Sequence, residues 1–205
     1  MPTFGRARDV FGKTEYEHWR DHSDEPNKKA VFADLVKPTV DAGKAELIAS
    51  DAKLCDEITM IATPGHGPGH TSIFVQSESE PALLSGDVAH HPCQMAHLDW
   101  SSTADSDPVQ SALTRRQLFA RFADQPTLVI GGHFDAGHIR RDGDAFRFDA
   151  FKFISLASLD PRGGSASLCV SNHATPMPPV LRDAPCGGLL RMRAAAMRQT
   201  LPMGS

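Results

Sequence analysis

Three short apolar runs in this chain each end in glycine, followed by a residue able to bind a metal ion. Ile58-Thr59-Met60-Ile61-Ala62 leads into Thr63-Pro64-Gly65-His66. Leu83-Leu84-Ser85 leads into Gly86-Asp87, and Leu128-Val129-Ile130 into Gly131-Gly132-His133. Runs of this length read as buried strands rather than helices. Glycine after a strand permits a tight turn and close backbone approach. Sites in sheet-based α/β proteins sit on such loops, at the C-terminal ends of strands. Two neutral imidazoles and a carboxylate suit zinc or a similar divalent ion. The pattern therefore predicts a sheet whose strand ends converge on one metal-binding site.

Histidine usage points to the same region, because five of the ten histidines fall between positions 66 and 97. His66 and His70 are four apart, the spacing of a helical zinc pair. Gly and Pro fill the gap and no Glu follows the first His, so a helical zinc motif is excluded. A glycine-rich loop presenting His66 remains, with His70 expected to orient that loop.

Around these runs the chain alternates helix and strand signals. Thr14-Glu15-Tyr16-Glu17 reads as a capping box opening a helix. A second helix is expected over 28–36, stopped before Pro38. Asp107-Pro108 opens the clearest helix, over 108–124, with Val109, Leu113, Phe119 and Phe122 at roughly helical spacing. Strands are expected at 58–62, 72–76, 82–85 and 127–130. The stretch 139–148 reads as a hairpin turning at Asp142-Gly143. The fold class is thus α/β or α+β.

With 205 residues, the chain is long enough for one domain of roughly 150 residues and a tail. The domain is placed at 1–153. The remainder, 154–205, is punctuated by Gly163-Gly164-Ser165, Pro176, Pro178, Pro179 and Pro185, and is read as mostly irregular. The net charge is 21 − 25 = −4, which argues against nucleic acid or an anionic membrane as partner. No run approaches about 18 apolar residues, so no membrane-spanning helix is expected. The cysteines (Cys55, Cys93, Cys169, Cys186) are dispersed and contain no C-x-x-C pair, which excludes a zinc ribbon and argues against a disulfide framework. No leader is visible at Met1, so a cytoplasmic location is expected.

T-P-G-H-G-P-G-H, then S-G-D with its Asp 21 residues after the first His (87 − 66), then G-G-H 46 residues later (133 − 87), resembles the metallo-β-lactamase-fold hydrolases. The flanking text (Val10-Phe11-Gly12, Glu15-Tyr16 with Trp19, 86–100, and Gly137-His138-Ile139) looks most like the lactonase and organophosphate-ester hydrolase branch. The resemblance covers about residues 1–150. It implies an αββα sandwich carrying two metal ions, usually zinc, and two-metal hydrolysis at a carbonyl or phosphoryl centre. By the same resemblance, His66 ligates one ion, His133 the other, and Asp87 bridges them. His90 stands where some lactonases of the family carry a catalytic Tyr, and is expected to line the substrate pocket or donate to a substrate oxygen. His138 is expected at the pocket wall or supporting the ligands from behind.

The family's remaining ligands come from an H-x-H-x-D-H motif that this sequence does not contain. The chain is therefore expected to match the C-terminal part of such a hydrolase, a partial sandwich holding at most one zinc. Its expected substrate is a lactone, carboxylic ester or phosphotriester. Two alternatives accompany this reading. One is a non-catalytic remnant that self-associates as a homo-oligomer or pairs with another chain, since half a sandwich exposes strand edges. The other is a thioester hydrolase of the glyoxalase II kind.

Overall fold

The computed structural model describes residues 6–21, 26–78, 80–151 and 190–191. The chain begins with β1 (Arg8–Gly12) and α1 (Lys13–Asp21), followed by α2 (Pro26–Val31), a π-helical turn over Phe32–Val36, and α3 (Lys37–Asp41). Then come β2 (Ala45–Ile48), β3 (Ile58–Ala62), β4 (Thr71–Val75) and β5 (Ala82–Gly86). A short α4 (Cys93–Ala96) and the long α5 (Pro108–Phe122) precede β6 (Leu128–Gly131), β7 (Gly137–Asp142) and β8 (Ala145–Ala150). A two-residue β9 (Leu190–Arg191) completes the described elements.

Two sheets form. The smaller has the order β2-β1-β9, with β1 parallel to both neighbours. The larger has six strands in sequence order, β3 to β8. Its pairs are antiparallel except β5 with β6, which are parallel and joined through α5. A parallel pair needs a crossover of this kind. The result is a mixed α/β architecture with helices against sheet, consistent with a metallo-β-lactamase sandwich. Leu83 and Val129 from the parallel pair, Ile139 and Phe146 from the hairpin, Met95 from α4 and Phe119 from α5 form the centre of the core.

The expected strands are present within a residue or so of their predicted bounds. Three differences have physical causes. The helix over 28–36 does not stop before Pro38. The Lys37 amide bonds back to Phe32, five residues away, and this π-helical step delivers Pro38 into the first turn of α3, where its missing N–H costs nothing. The hairpin turns one residue later than expected. Asp142 pairs with Ala145, leaving Gly143-Asp144 as the loop, and Gly143 supplies the positive φ of 59°.

The third difference concerns α5, whose expected apolar positions are buried only in its second half, at Phe119 and Phe122. Val109 and Leu113 are 73% and 49% exposed, whereas Ser111, Thr114 and Arg115 are buried with Leu118, Phe119 and Phe122. Polar residues win the inner face because the first half of α5 packs on a loop rather than a core. Thr114 Oγ1 donates to the Pro64 carbonyl at 2.6 Å, and Ser111 lies against Gly65.

β1, β2 and α4 carry no signal strong enough to have been foreseen. The irregular stretch expected over 154–205 lies outside the described residues, apart from β9. Cys55 is disulfide-bonded and Cys93 is free. Among the described residues, no helix is long and apolar enough to cross a membrane.

Candidate metal centre

The three strand–glycine units meet as their pattern predicts. His66 lies in the loop after β3, Asp87 directly follows β5, and His133 is the second residue after β6. Asp87 stands between the two histidines. Its Oδ2 is 3.4 Å from His66 Nε2 and its Oδ1 is 3.2 Å from His133 Nε2. Each carboxylate oxygen thus faces a different imidazole.

Two glycines make this approach possible. Gly86 has φ +57°, and a Cβ there would come within 2.8 Å of His70 Nε2. A Cβ on Gly132 would meet Asp87 Oδ1 at 2.6 Å.

His70 does not face the centre. Its Nδ1 donates to the Thr63 carbonyl at 3.1 Å, and its Nε2 accepts the Asp87 backbone N–H at 3.1 Å. The ring therefore ties the His66 loop to the Asp87 loop, the orienting role expected of it. Glu15 anchors the same loop from α1. One of its oxygens accepts from the Gly69 N–H at 2.9 Å and the other from Trp19 Nε1 at 2.7 Å. Cβ atoms on Gly67 or Gly69 would collide with Glu15, which explains the G-P-G spacing between the two histidines. Glu17, which the capping-box pattern pointed to, faces Lys13 instead, at 3.9 Å.

His90 lies at the heart of the cluster. Its ring stacks on His133 with centroids 4.7 Å apart, and sits 5.1 Å from the His66 ring. Gln94 Oε1 accepts its backbone N–H at 2.7 Å. His90 also borders an open pocket of about 260 Å³, lined with His91, Gln94, Trp100 and Ser102. His138 is elsewhere, on β7, where its Nδ1 donates to the Thr127 carbonyl at 3.0 Å.

Sequence reasoning missed Asp105, in the loop before α5. Its side chain is wholly buried, and its Oδ1 lies 3.4 Å from His66 Nδ1. A ligand atom each from Asp87, His90 and His133 lie within 4.8 Å of one another, and so do those of His66, His90 and Asp105.

The electrostatics match a cation site. Burial opposes a charged His66, but the Asp105 and Asp87 carboxylates outweigh it and raise the His66 pKa. Burial and the charges of His66 and His133 lower the pKa of His90. Burial also lowers that of His70, with His66 adding to it. Asp105 resists its own burial because His66, the Ser102 N–H and Arg115 hold its carboxyl below the usual range.

Four buried atoms at the centre make no hydrogen bond: His66 Nδ1, Asp87 Oδ1, His90 Nδ1 and Asp105 Oδ1. Unpaired buried groups of this kind are costly. His66 Nδ1 and Asp105 Oδ1 face each other at 3.4 Å, which leaves Asp87 Oδ1 and His90 Nδ1 in want of a partner. Imidazole nitrogens and carboxylate oxygens are the donors that borderline divalent ions prefer, so the residues present fit a metal.

The family model of the metallo-beta-lactamase superfamily matches residues 5–133. The chain belongs to that superfamily, whose members include metal-dependent hydrolases. It resembles an N-acyl homoserine lactonase from Bacillus sp, at 29% identity over 82 residues, which are 40% of this chain and 29% of the lactonase.

Among solved structures, AbOPH, a hydrolase in the beta lactamase superfamily, aligns with a TM-score of 0.63 and 20% identity over 74% of this chain and 57% of its own. AidC, a dizinc quorum-quenching lactonase in complex with a product, aligns with a TM-score of 0.57 and 19% identity, covering 71% of this chain and 55% of AidC. A probable metal-dependent hydrolase from Staphylococcus aureus gives 0.54 and 19%, covering 71% and 53%. These likenesses show a shared fold. The chain spans just over half the length of these structures and less than a third of the Bacillus lactonase.

Proposed function

We propose that this chain is a metal-dependent hydrolase of a small lactone, carboxylic ester or phosphotriester, with zinc held by His66, Asp87 and His133. The observation that carries this reading is the Asp87 carboxylate, with one oxygen toward each histidine and Oδ1 buried without a hydrogen bond. Bound zinc supplies Lewis acidity, which polarises a substrate oxygen and activates water near neutral pH.

The chain's own residues do the rest. Asp87 orients the two imidazoles, and His70 fixes the Asp87 backbone. His90 is kept neutral by burial, so one ring nitrogen carries a proton to donate to a substrate oxygen. The pocket beside His90 seats the part of the substrate next to the scissile bond, with the Trp100 ring as one wall. Its modest size suits a small acyl or alkoxy group. The lactonase names among its relatives support a lactone as the first substrate to test.

The test is zinc content per chain by mass spectrometry, followed by a lactone and ester screen. Up to one zinc per chain is expected, lost in the double variant His66→Ala, His133→Ala. Unchanged zinc in that variant would overturn the assignment.

A second reading, self-association, has its own observation. Among the described residues β2 pairs on one side only, and Leu47 on it is 40% exposed. An open strand edge bearing an apolar side chain is a template for a second copy. The thioester-hydrolase alternative shares the motifs but has no observation of its own.

A further inference from the structure

Asp105 is a buried carboxylate that the metal reading leaves without a task. Its side chain and that of Arg115 are both 0% exposed, and Oδ2 lies 3.5 Å from Arg115 Nη1. Oδ2 also accepts the Ser102 backbone N–H at 3.1 Å. Arg115 in turn donates to three carbonyls, Leu98 at 3.0 Å, Val88 at 3.2 Å and Trp100 at 2.9 Å. An ion pair taken this far from water persists only when its polar atoms are matched. Here one atom is left over. Oδ1 has no hydrogen bond and faces His66 Nδ1, itself buried and unpaired, at 3.4 Å.

The His66 ring thus sits between two carboxylates, Asp105 at Nδ1 and Asp87 at Nε2. The same loop grips the His66 backbone, because Ser106 donates to its carbonyl through both N (3.0 Å) and Oγ (2.7 Å).

We infer that Asp105, locked by Arg115, is the positioning residue of His66: it holds the ring proton on Nδ1 and leaves the Nε2 lone pair aimed at Asp87 and a bound cation. This rests on the metal reading above. The physical logic is general, since a ligating imidazole whose other nitrogen donates to a carboxylate has its tautomer and orientation set and its basicity raised. A shift of about half an ångström brings the pair into hydrogen-bond range. Asp105 acts through His66 and needs no contact with substrate.

Two measurements test this. The first is the His66 tautomer in metal-free protein, read by two-bond ¹H–¹⁵N correlation at a pH where the ring is neutral. The wild type is expected to carry its proton on Nδ1, with that preference lost in Asp105→Ala. A wild-type ring protonated on Nε2 would overturn the proposal without any variant having to fold.

The second is zinc affinity by chelator competition. Asp105→Ala is expected to weaken it by about 10- to 100-fold. Asp107→Ala, which removes the cap of α5 from the same loop, is expected to lower the thermal midpoint and leave affinity within about twofold. Equal affinity in wild type and Asp105→Ala overturns the proposal, as does an equal loss in both variants. A wild type that binds no zinc removes the metal reading, and the tautomer still decides the role of Asp105.

Discussion

His70 illustrates how one residue in a histidine-rich loop takes a task different from its neighbour's. It lies four positions from His66, yet both of its nitrogens are spent on backbone groups of two loops. The Nε2 lone pair that accepts from Asp87 must stay free of a proton. Burial lowers the His70 pKa from 6.5, and His66 adds to that shift, so folding favours the neutral ring. Its contribution is complete above 6.5 and declines as pH falls from there through the depressed folded value. His66 has the opposite sign, because its raised pKa makes its contribution complete below 6.5 and lost as pH rises through the folded value. Urea unfolding of metal-free protein should therefore show an acid-side loss of stability that His70→Gln reduces. Identical pH slopes in the two proteins would contradict this. Gly132 is the second residue whose place is set by its neighbours. Gly132→Ala puts a methyl group within 2.6 Å of Asp87 Oδ1, and is expected to lower zinc affinity at least about tenfold with the far-UV circular dichroism unchanged.

Among the elements, α5 separates what pattern reveals from what packing decides. Its start is local chemistry: Asp107 Oδ1 accepts the Gln110 N–H at 2.9 Å, and Pro108 follows in the first turn. Asp107→Ala should cost about 1 kcal/mol in chemical denaturation. Its buried face is only partly local: of the apolar positions Val109, Leu113, Phe119 and Phe122 the last two are buried, while the loops around His66 and Asp105 claim Ser111, Thr114 and Arg115. Arg115→Ala strands the Asp105 carboxylate and three carbonyls, and is expected to cost about 3–5 kcal/mol by the same measurement. A cost below about 1 kcal/mol would show that water replaces the guanidinium. The same limit of local reasoning explains why β1 and β2 went unforeseen. Arg8–Gly12 and Ala45–Ile48 alternate weakly, and they are strands because they pair with each other across an intervening helical stretch. Pro38 shows the reverse case, a strong local stop signal absorbed by a π-helical step.

The whole molecule joins a six-stranded sheet, a small parallel sheet and α5 around one cluster of histidines and carboxylates. The β2 edge and exposed Leu47 carry the prediction that belongs to this scale. Light scattering should find a dimer or larger particle that Leu47→Lys shifts toward the monomer. A monomer at every concentration would dismiss the edge as an interface. The sequence by itself determined the strand–glycine–ligand units, because a strand, a turn and the residue after it are contiguous in the chain. It therefore pointed to the mixed α/β class and to the family, while the sheet brings His66, Asp87 and His133 together from three separate loops. Only the tertiary structure decided which backbone groups His70 holds, that His90 stands among the other rings, and that Asp105 and Arg115 lie behind His66. Those roles depend on groups from separate loops meeting in a dry interior. There an unpaired oxygen or nitrogen has a cost that no sequence pattern records.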